Sequence, residues 1–201
     1  DLKDGRIAGF EALLRWRHPE RGVVAPIDFI RAAESTGLII PLGYWTLRQA
    51  CRQASQWQET RGADCPVSIN VNLSARQLQR TDFLPQLLAI LEQSGLPASC
   101  LKLELTESAL FGQSDPAVRA LEGIRRAGIQ LHIDDFGTGY SSLNYLSRLP
   151  VSALKVDRSF VSGLGRDDGN TKIIRGVVTL AHSLGIDVIA EGIETSEQLR
   201  L

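Results

Sequence analysis

The feature that most constrains this chain is a repeated alternation of short β-like runs with helical patterns. The strand candidates are "IAGFEALLRW" (Ile7–Trp16), "VSINVNL" (Val67–Leu73), "LKLELTE" (Leu101–Glu107), "IQLHIDD" (Ile129–Asp135), "SALKVD" (Ser152–Asp157) and "DVIAEGI" (Asp187–Ile193). Helical spacing covers Ile27–Ser35, Gly43–Thr60, Phe83–Ser94, Asp115–Ala127, Ser141–Arg148 and Asn170–Leu184, with Gly95, Gly128 and Gly185 placed to stop three of these helices. No Gly/Ser/Pro-rich linker interrupts the order, so residues 1–201 read as one domain. Repeated β–α units specify an α/β fold on a parallel sheet. A closed (β/α)8 TIM-like barrel needs eight strands, and six are visible. The chain starts at Asp1 without methionine and stops inside the helical pattern "ETSEQLRL", so the expectation is a barrel missing outer strands in an excerpt of a longer protein. An open doubly wound sheet is the rival, but no Gly-rich phosphate loop follows the first strand.

Side chains alternate faces along a strand. In "LKLELTE" the leucines share one face, with Lys102, Glu104 and Thr106 on the other. Ile129, Leu131 and Ile133 oppose Gln130, His132 and Asp134; Leu154 and Val156 oppose Lys155 and Asp157; Ile69, Val71 and Leu73 oppose Asn70 and Asn72. If the apolar faces pack on the helices, Glu11, Asn72, Glu104, Asp134, Lys155 and Glu191 point at the barrel axis, each near the C-terminal end of its strand, where barrel active sites lie. Any one of them alone reads as a solvent-facing strand end. Six strands out of six doing the same thing do not.

Glu11, Glu104, Asp134, Asp135 and Glu191 would then share one cup, each pair about 4 Å apart repelling by roughly 4 kcal/mol at an effective dielectric near 20. Lys155 cannot neutralise five acids, so either several take up protons or divalent cations bind. An all-oxygen set suits Mg²⁺ or Mn²⁺ rather than zinc, and the adjacent pair Asp134-Asp135 suits two ions. His18, His132 and His182 are too scattered for a zinc site. Cys51, Cys65 and Cys100 are odd in number, lack metal-type spacing and read as reduced thiols in a cytoplasmic chain. A net charge of -1 offers no global attraction to a nucleic-acid polymer or an anionic membrane. No apolar stretch approaches the roughly 18 residues needed to span a bilayer, so this segment makes no membrane contact, although a parent protein can be membrane-anchored.

Taken in order, "FEALLRWRHPERG", "VNLSARQL", "ELTES", "DDFGTGYSSL", "LKVDRSFV" and "AEGIET" resemble the EAL domain, the bacterial cyclic di-GMP phosphodiesterase family, over essentially the whole chain. The resemblance implies a single EAL domain over 1–201, a (β/α) barrel lacking here the family's first strand and its last strand and helix. It implies that Glu11, Asn72, Glu104 and Asp134 hold a first metal ion, with Asp134 bridging to a second bound by Asp135 and Glu191. Lys155 resembles the lysine that orients the attacking water, Arg15 the substrate-contacting arginine, and Glu194 a residue holding a guanine or supporting the site. The implied reaction opens cyclic di-GMP to linear pGpG by two-metal-activated water attack on one phosphorus, with Ca²⁺ non-productive. The implied partners are a second copy of the domain in a homodimer and fused sensory or GGDEF-type modules. For Glu107 two readings stand: an anchor for the loop "DDFGTGYSSL", or a helix N-terminal acid after Thr106.

Rival functions fare less well. "DFG" at Asp135–Gly137 occurs in protein kinases, but no Gly-rich loop or "HRD" accompanies it. The basic run "LLRWRHPER" is diluted by Glu20 and reads as a phosphate contact plus a surface turn. Trp16, Trp45 and Trp57 read as packing, and His132 as a barrel-interior group. The serious alternative is a receptor that holds cyclic di-GMP without cutting it and relays that state to a partner. A scaffold without a nucleotide role has no need of five clustered acids.

Overall fold

A computed structural model describes residues 1–2, 5–61, 67–110, 115–137, 146, 149–165 and 168–201. In chain order the elements begin with β1 (Gly9–Ala12), a hairpin of β2 (Trp16–His18) and β3 (Gly22–Val24), α1 (Pro26–Thr36), α2 (Ile39–Arg61), β4 (Ser68–Asn72), α3 (Ala75–Leu78) and α4 (Phe83–Ser94). There follow β5 (Leu101–Thr106), α5 (Glu107–Leu110), α6 (Asp115–Arg126), β6 (Gln130–Phe136), β7 (Ala153–Val156), α7 (Arg158–Val161), α8 (Asp168–Ser183), β8 (Asp187–Ala190) and α9 (Ser196–Arg200). The strand order of the main sheet is β1-β4-β5-β6-β7-β8. The helix expected over Ser141–Arg148 lies outside the described residues except for Leu146, as do Cys65 and the Thr138–Leu143 part of the "DDFGTGYSSL" run.

Two compact units are recognised, Asp1–Glu104 with Gln113–Gln130, and Leu105–Gly112 with Leu131–Leu201. In the first, β1 and β5 both pair parallel with β4. The apolar parity of these strands is the buried side: Ile69, Val71, Leu101 and Leu103 are all closed to solvent. Helix α2 packs on β4 and α4, and its Leu47, Cys51 and Ala54 join Phe83, Leu87 and Ile90 of α4 in the core. Burial pushes the Cys51 thiol up to about 12. Gly95, expected to stop α4, is its left-handed cap at φ 69°, with its N–H bonded to Leu91 O.

In the second unit β6, β7 and β8 are parallel. Val156, Val161 and Leu164 form a buried cluster, with Phe160, Ile174, Val177, Val188 and Ile193 packed around it. Asp157 caps α7 by accepting the Ser159 N–H at 2.9 Å, and hydrogen bonding from the Ser159 side chain and then its backbone holds the carboxyl below the usual range.

The expected strand Ile7–Trp16 divides. Strand β1 ends at Ala12, paired with Val71, and Trp16 opens β2 of the hairpin instead. The hairpin turn is locked by His18, whose Nδ1 accepts the N–H groups of Glu20 (3.1 Å) and Arg21 (3.2 Å). The surface turn expected in "RHPER" is this one.

Candidate active site

Two polar clusters occupy the strand faces opposite the core, one in each unit. In the first unit β4 is the middle strand, with Glu11 opposite Asn70 on one side and Glu104 opposite Asn72 on the other. Asn72 Nδ2 donates to Glu11 Oε1 at 2.8 Å, and Asn70 Nδ2 donates to Glu104 Oε1 at 2.6 Å. Glu104 is 1% exposed, whereas Glu11 and Asn72 are open to solvent. A carboxylate so buried needs polar partners, and the asparagine amide supplies one.

In the second unit Lys155 on β7 is 5% exposed and sits between two carboxylates. Its Nζ lies 3.0 Å from Asp134 Oδ1 and 2.8 Å from Glu191 Oε1. Asp134 Oδ1 is buried and has no hydrogen bond of acceptable angle, so its contact with Lys155 is coulombic rather than a directed bond. Glu191 follows the end of β8, its backbone N–H continuing the pairing by donating to Val156 O at 3.1 Å. One carboxylate oxygen from each of Asp134, Asp135 and Glu191 lies within 4.8 Å of the other two.

Adjacent residues on a regular strand point to opposite faces, so Asp134 and Asp135 cannot converge without a distortion. The distortion is present. The register of β6 on β7 shifts between Ile133 and Phe136, and Asp135 has φ 53°, the one non-glycine residue in the left-handed region among the described residues. Aspartate tolerates that region better than most residues, yet holding it there costs on the order of 1–3 kcal/mol. A bulge re-aims a side chain, and this one turns the second acid back to the first.

Gly137, directly after β6, is bonded from α5. Glu107, the first residue of that helix and itself buried, accepts the Gly137 N–H through Oε2 at 3.1 Å. Gly137 has φ 98°, a conformation that favours glycine, and a Cβ there would sit tightly against the Phe160 ring at 3.1 Å. Thus Glu107 opens α5 and also accepts a backbone N–H from Gly137, while the rest of the loop it is expected to anchor lies outside the described residues.

Arg15 does not share a strand with Glu11. It lies in the connection after β1, exposed, with Nη1 donating to Leu14 O at 2.9 Å. Glu194 is also exposed and pairs with Arg158 at 2.7 Å. Parity puts Asn70 on the inward face without assigning it a task; its bond to Glu104 is the contact that sequence reasoning misses. Its signal was the repeat of asparagine at Asn70 and Asn72.

The donor set of the second unit, one carboxylate oxygen from each of three side chains at mutual reach, fits a divalent cation. Parallel strands alternating with helices, the pattern of a partial TIM-like barrel, carry an acidic, metal-compatible site. The chain belongs to the EAL domain family, whose pattern it matches over residues 1–201. It is 43% identical over 195 residues to the bifunctional diguanylate cyclase/cyclic di-GMP phosphodiesterase MucR of Pseudomonas aeruginosa, covering 97% of this chain and 28% of that protein. It is 43% identical over 198 residues to the cyclic di-GMP phosphodiesterase NbdA of the same organism, covering 98% of this chain and 25% of NbdA. The solved structure of the PaMucR phosphodiesterase in complex with c-di-GMP superposes with a TM-score of 0.90 at 41% identity, covering 98% of this chain and 78% of that one. The chain therefore spans about a quarter of the length of these curated relatives. Among the described residues, no helix is long and apolar enough to cross a membrane.

Proposed function

We propose that this domain hydrolyses cyclic di-GMP to linear pGpG with two divalent ions, Mg²⁺ or Mn²⁺. The observation that carries the reading is the convergence of Asp134, Asp135 and Glu191 on one point beside buried Lys155, in a chain of a family whose relatives include named cyclic di-GMP phosphodiesterases. The residue roles follow the EAL motifs: Glu11, Asn72, Glu104 and Asp134 as ligands of one ion, Asp134, Asp135 and Glu191 of the second. When bound, such ions supply Lewis-acid activation of water and neutralise charge on the reacting phosphate.

The chain's own groups do the rest. Lys155 is fixed by two carboxylates at known distances, so its remaining N–H capacity has a set direction; it orients the attacking water by donating to it. Glu191 keeps that water's proton side next to an acceptor. The bond from phosphorus to one ribose 3′ oxygen breaks, and the water oxygen completes the 5′-phosphate of pGpG. Arg15 contacts a substrate phosphate and Glu194 a guanine edge. Glu107, by holding Gly137, keeps the bulge at Asp135 in place.

A cytoplasmic setting, a homodimer and fused sensory or diguanylate cyclase modules complete the proposal; the greater length of the relatives supports the fused modules. The test is pGpG release from cyclic di-GMP by the intact protein with Mg²⁺, with Mn²⁺ and with chelator. Metal-dependent release is expected. Tight binding of the dinucleotide without turnover would assign the domain to receptors instead.

A further inference from the structure

The central strand β4 carries two asparagines, two residues apart and therefore on one face. Each would be expected to bond the carboxylate level with it. The register puts Glu11 level with Asn70 and Glu104 level with Asn72, yet the bonds run on the diagonals: Asn72 to Glu11 and Asn70 to Glu104. One strand thus serves a glutamate on each neighbour, and the two amides divide the task between them. We propose that Asn70 is a positioning residue that orients Glu104 for a divalent cation, an inference that rests on reading Glu104 as a metal ligand.

The chemistry of the pair supports that assignment. A carboxylate accepts and an amide –NH₂ only donates, so at 2.6 Å the nitrogen and not the oxygen of Asn70 faces Glu104. Fixing Oε1 fixes the plane of the carboxyl group, and with it the direction of the lone pairs that a cation would meet. A neutral donor does this without setting a positive charge against the ion, as a lysine in the same place would. Partners of this kind behind a ligand commonly change metal affinity by about 10–100-fold when removed. The near-total burial of Glu104 leaves its rotamer to be set by such contacts rather than by water.

The test measures Mn²⁺ affinity of the intact protein without substrate, by electron paramagnetic resonance of free Mn²⁺, for the native chain, Asn70→Ala, Asn70→Ser and Glu104→Gln. Neither short side chain carries an amide to Glu104. The expected result is a Kd for Mn²⁺ raised about tenfold in both Asn70 variants, with circular dichroism unchanged, kcat recovered at saturating Mn²⁺ and KM for cyclic di-GMP within twofold of native. Mn²⁺ affinity within twofold of native in both variants, while Glu104→Gln weakens it, would overturn the role of Asn70 and leave Glu104 a ligand. Native affinity in Glu104→Gln would instead overturn the ligand reading itself. Lost structure in both Asn70 variants, or lost kcat that excess Mn²⁺ does not restore, would also overturn the proposal and assign Asn70 to stability.

Discussion

Replacing Lys155 by methionine keeps the aliphatic stem and removes the charge. Its effect can be worked from the distances. The three carboxylates Asp134, Asp135 and Glu191 lie within 4.8 Å of one another, so at an effective dielectric near 20 each of three pairs repels by at least about 3.5 kcal/mol. The two Lys155 contacts, at 3.0 and 2.8 Å, each return about 5–6 kcal/mol on the same scale. The two sums are of similar size, so Lys155 offsets much of the repulsion among the three acids. Asp134 and Glu191 are 14% and 27% exposed, so solvent screens the balance only in part. Breaking a buried pair of this kind costs about 3–5 kcal/mol, and for a domain of this size that lowers the melting temperature by about 6–20 °C. Lys155→Met in chelator should therefore melt well below the native protein, and millimolar Mg²⁺ should restore most of the difference, because the ion replaces the missing charge. Turnover should fall by about 10²-fold or more, with Mn²⁺ affinity unchanged or tighter. Differential scanning fluorimetry with and without Mg²⁺, a pGpG assay and a Mn²⁺ titration read these outcomes. Equal melting in chelator would refute the charge balance worked here, and a loss of Mn²⁺ binding as large as the loss of turnover would assign Lys155 to holding the site together rather than to the attacking water.

Asp135→Asn should keep the left-handed conformation and the fold but lose metal affinity and turnover, while Asp135→Ala should in addition lose about 1 kcal/mol of stability; equal stability of the two in urea melts would remove backbone strain from the account. Ca²⁺ should bind in competition with Mg²⁺ yet support little pGpG release, being larger and laxer in geometry; equal rates in the two ions would count against the proposed chemistry. Cys51, with its thiol pushed up to about 12, should resist iodoacetamide at pH 8 in the native protein and react once unfolded, as peptide mass spectrometry can show. Asp157 has a carboxyl held low by its capping bonds, so its contribution is present above the unfolded-state value near 4 and is lost as pH falls through the lower folded value. Asp157→Asn should flatten that part of the acid unfolding curve below pH 4, while Asp157→Ala should cost about 1 kcal/mol at pH 7.

What could be read from the chain beforehand was set by period-two patterning. The leucines of "LKLELTE" and the isoleucines of "IQLHIDD" are buried as their parity required, and Lys155, Asp134 and Glu191 lie together. What parity could not supply was anything that breaks it. By strict alternation Asp135 belongs on the face opposite Asp134, and only the shift of register and the φ of 53° turn it back. The run Ile7–Trp16 is apolar enough for one long strand, but pairing with β4 stops at Ala12, and Trp16 serves the hairpin, where its ring meets His18 and Phe29. That detaches Arg15 from the strand of Glu11. The diagonal bonds of Asn70 and Asn72 depend on which way two amides turn, which no periodicity encodes.

The account stands most directly on whether Asp134, Asp135 and Glu191 hold a cation. Crystals of the intact protein grown with Mn²⁺ and cyclic di-GMP, measured at the manganese edge, would show it. An anomalous peak within coordination distance, about 2.0–2.3 Å, of oxygens from these three side chains is the predicted result. Dinucleotide bound with no manganese at these carboxylates would contradict it.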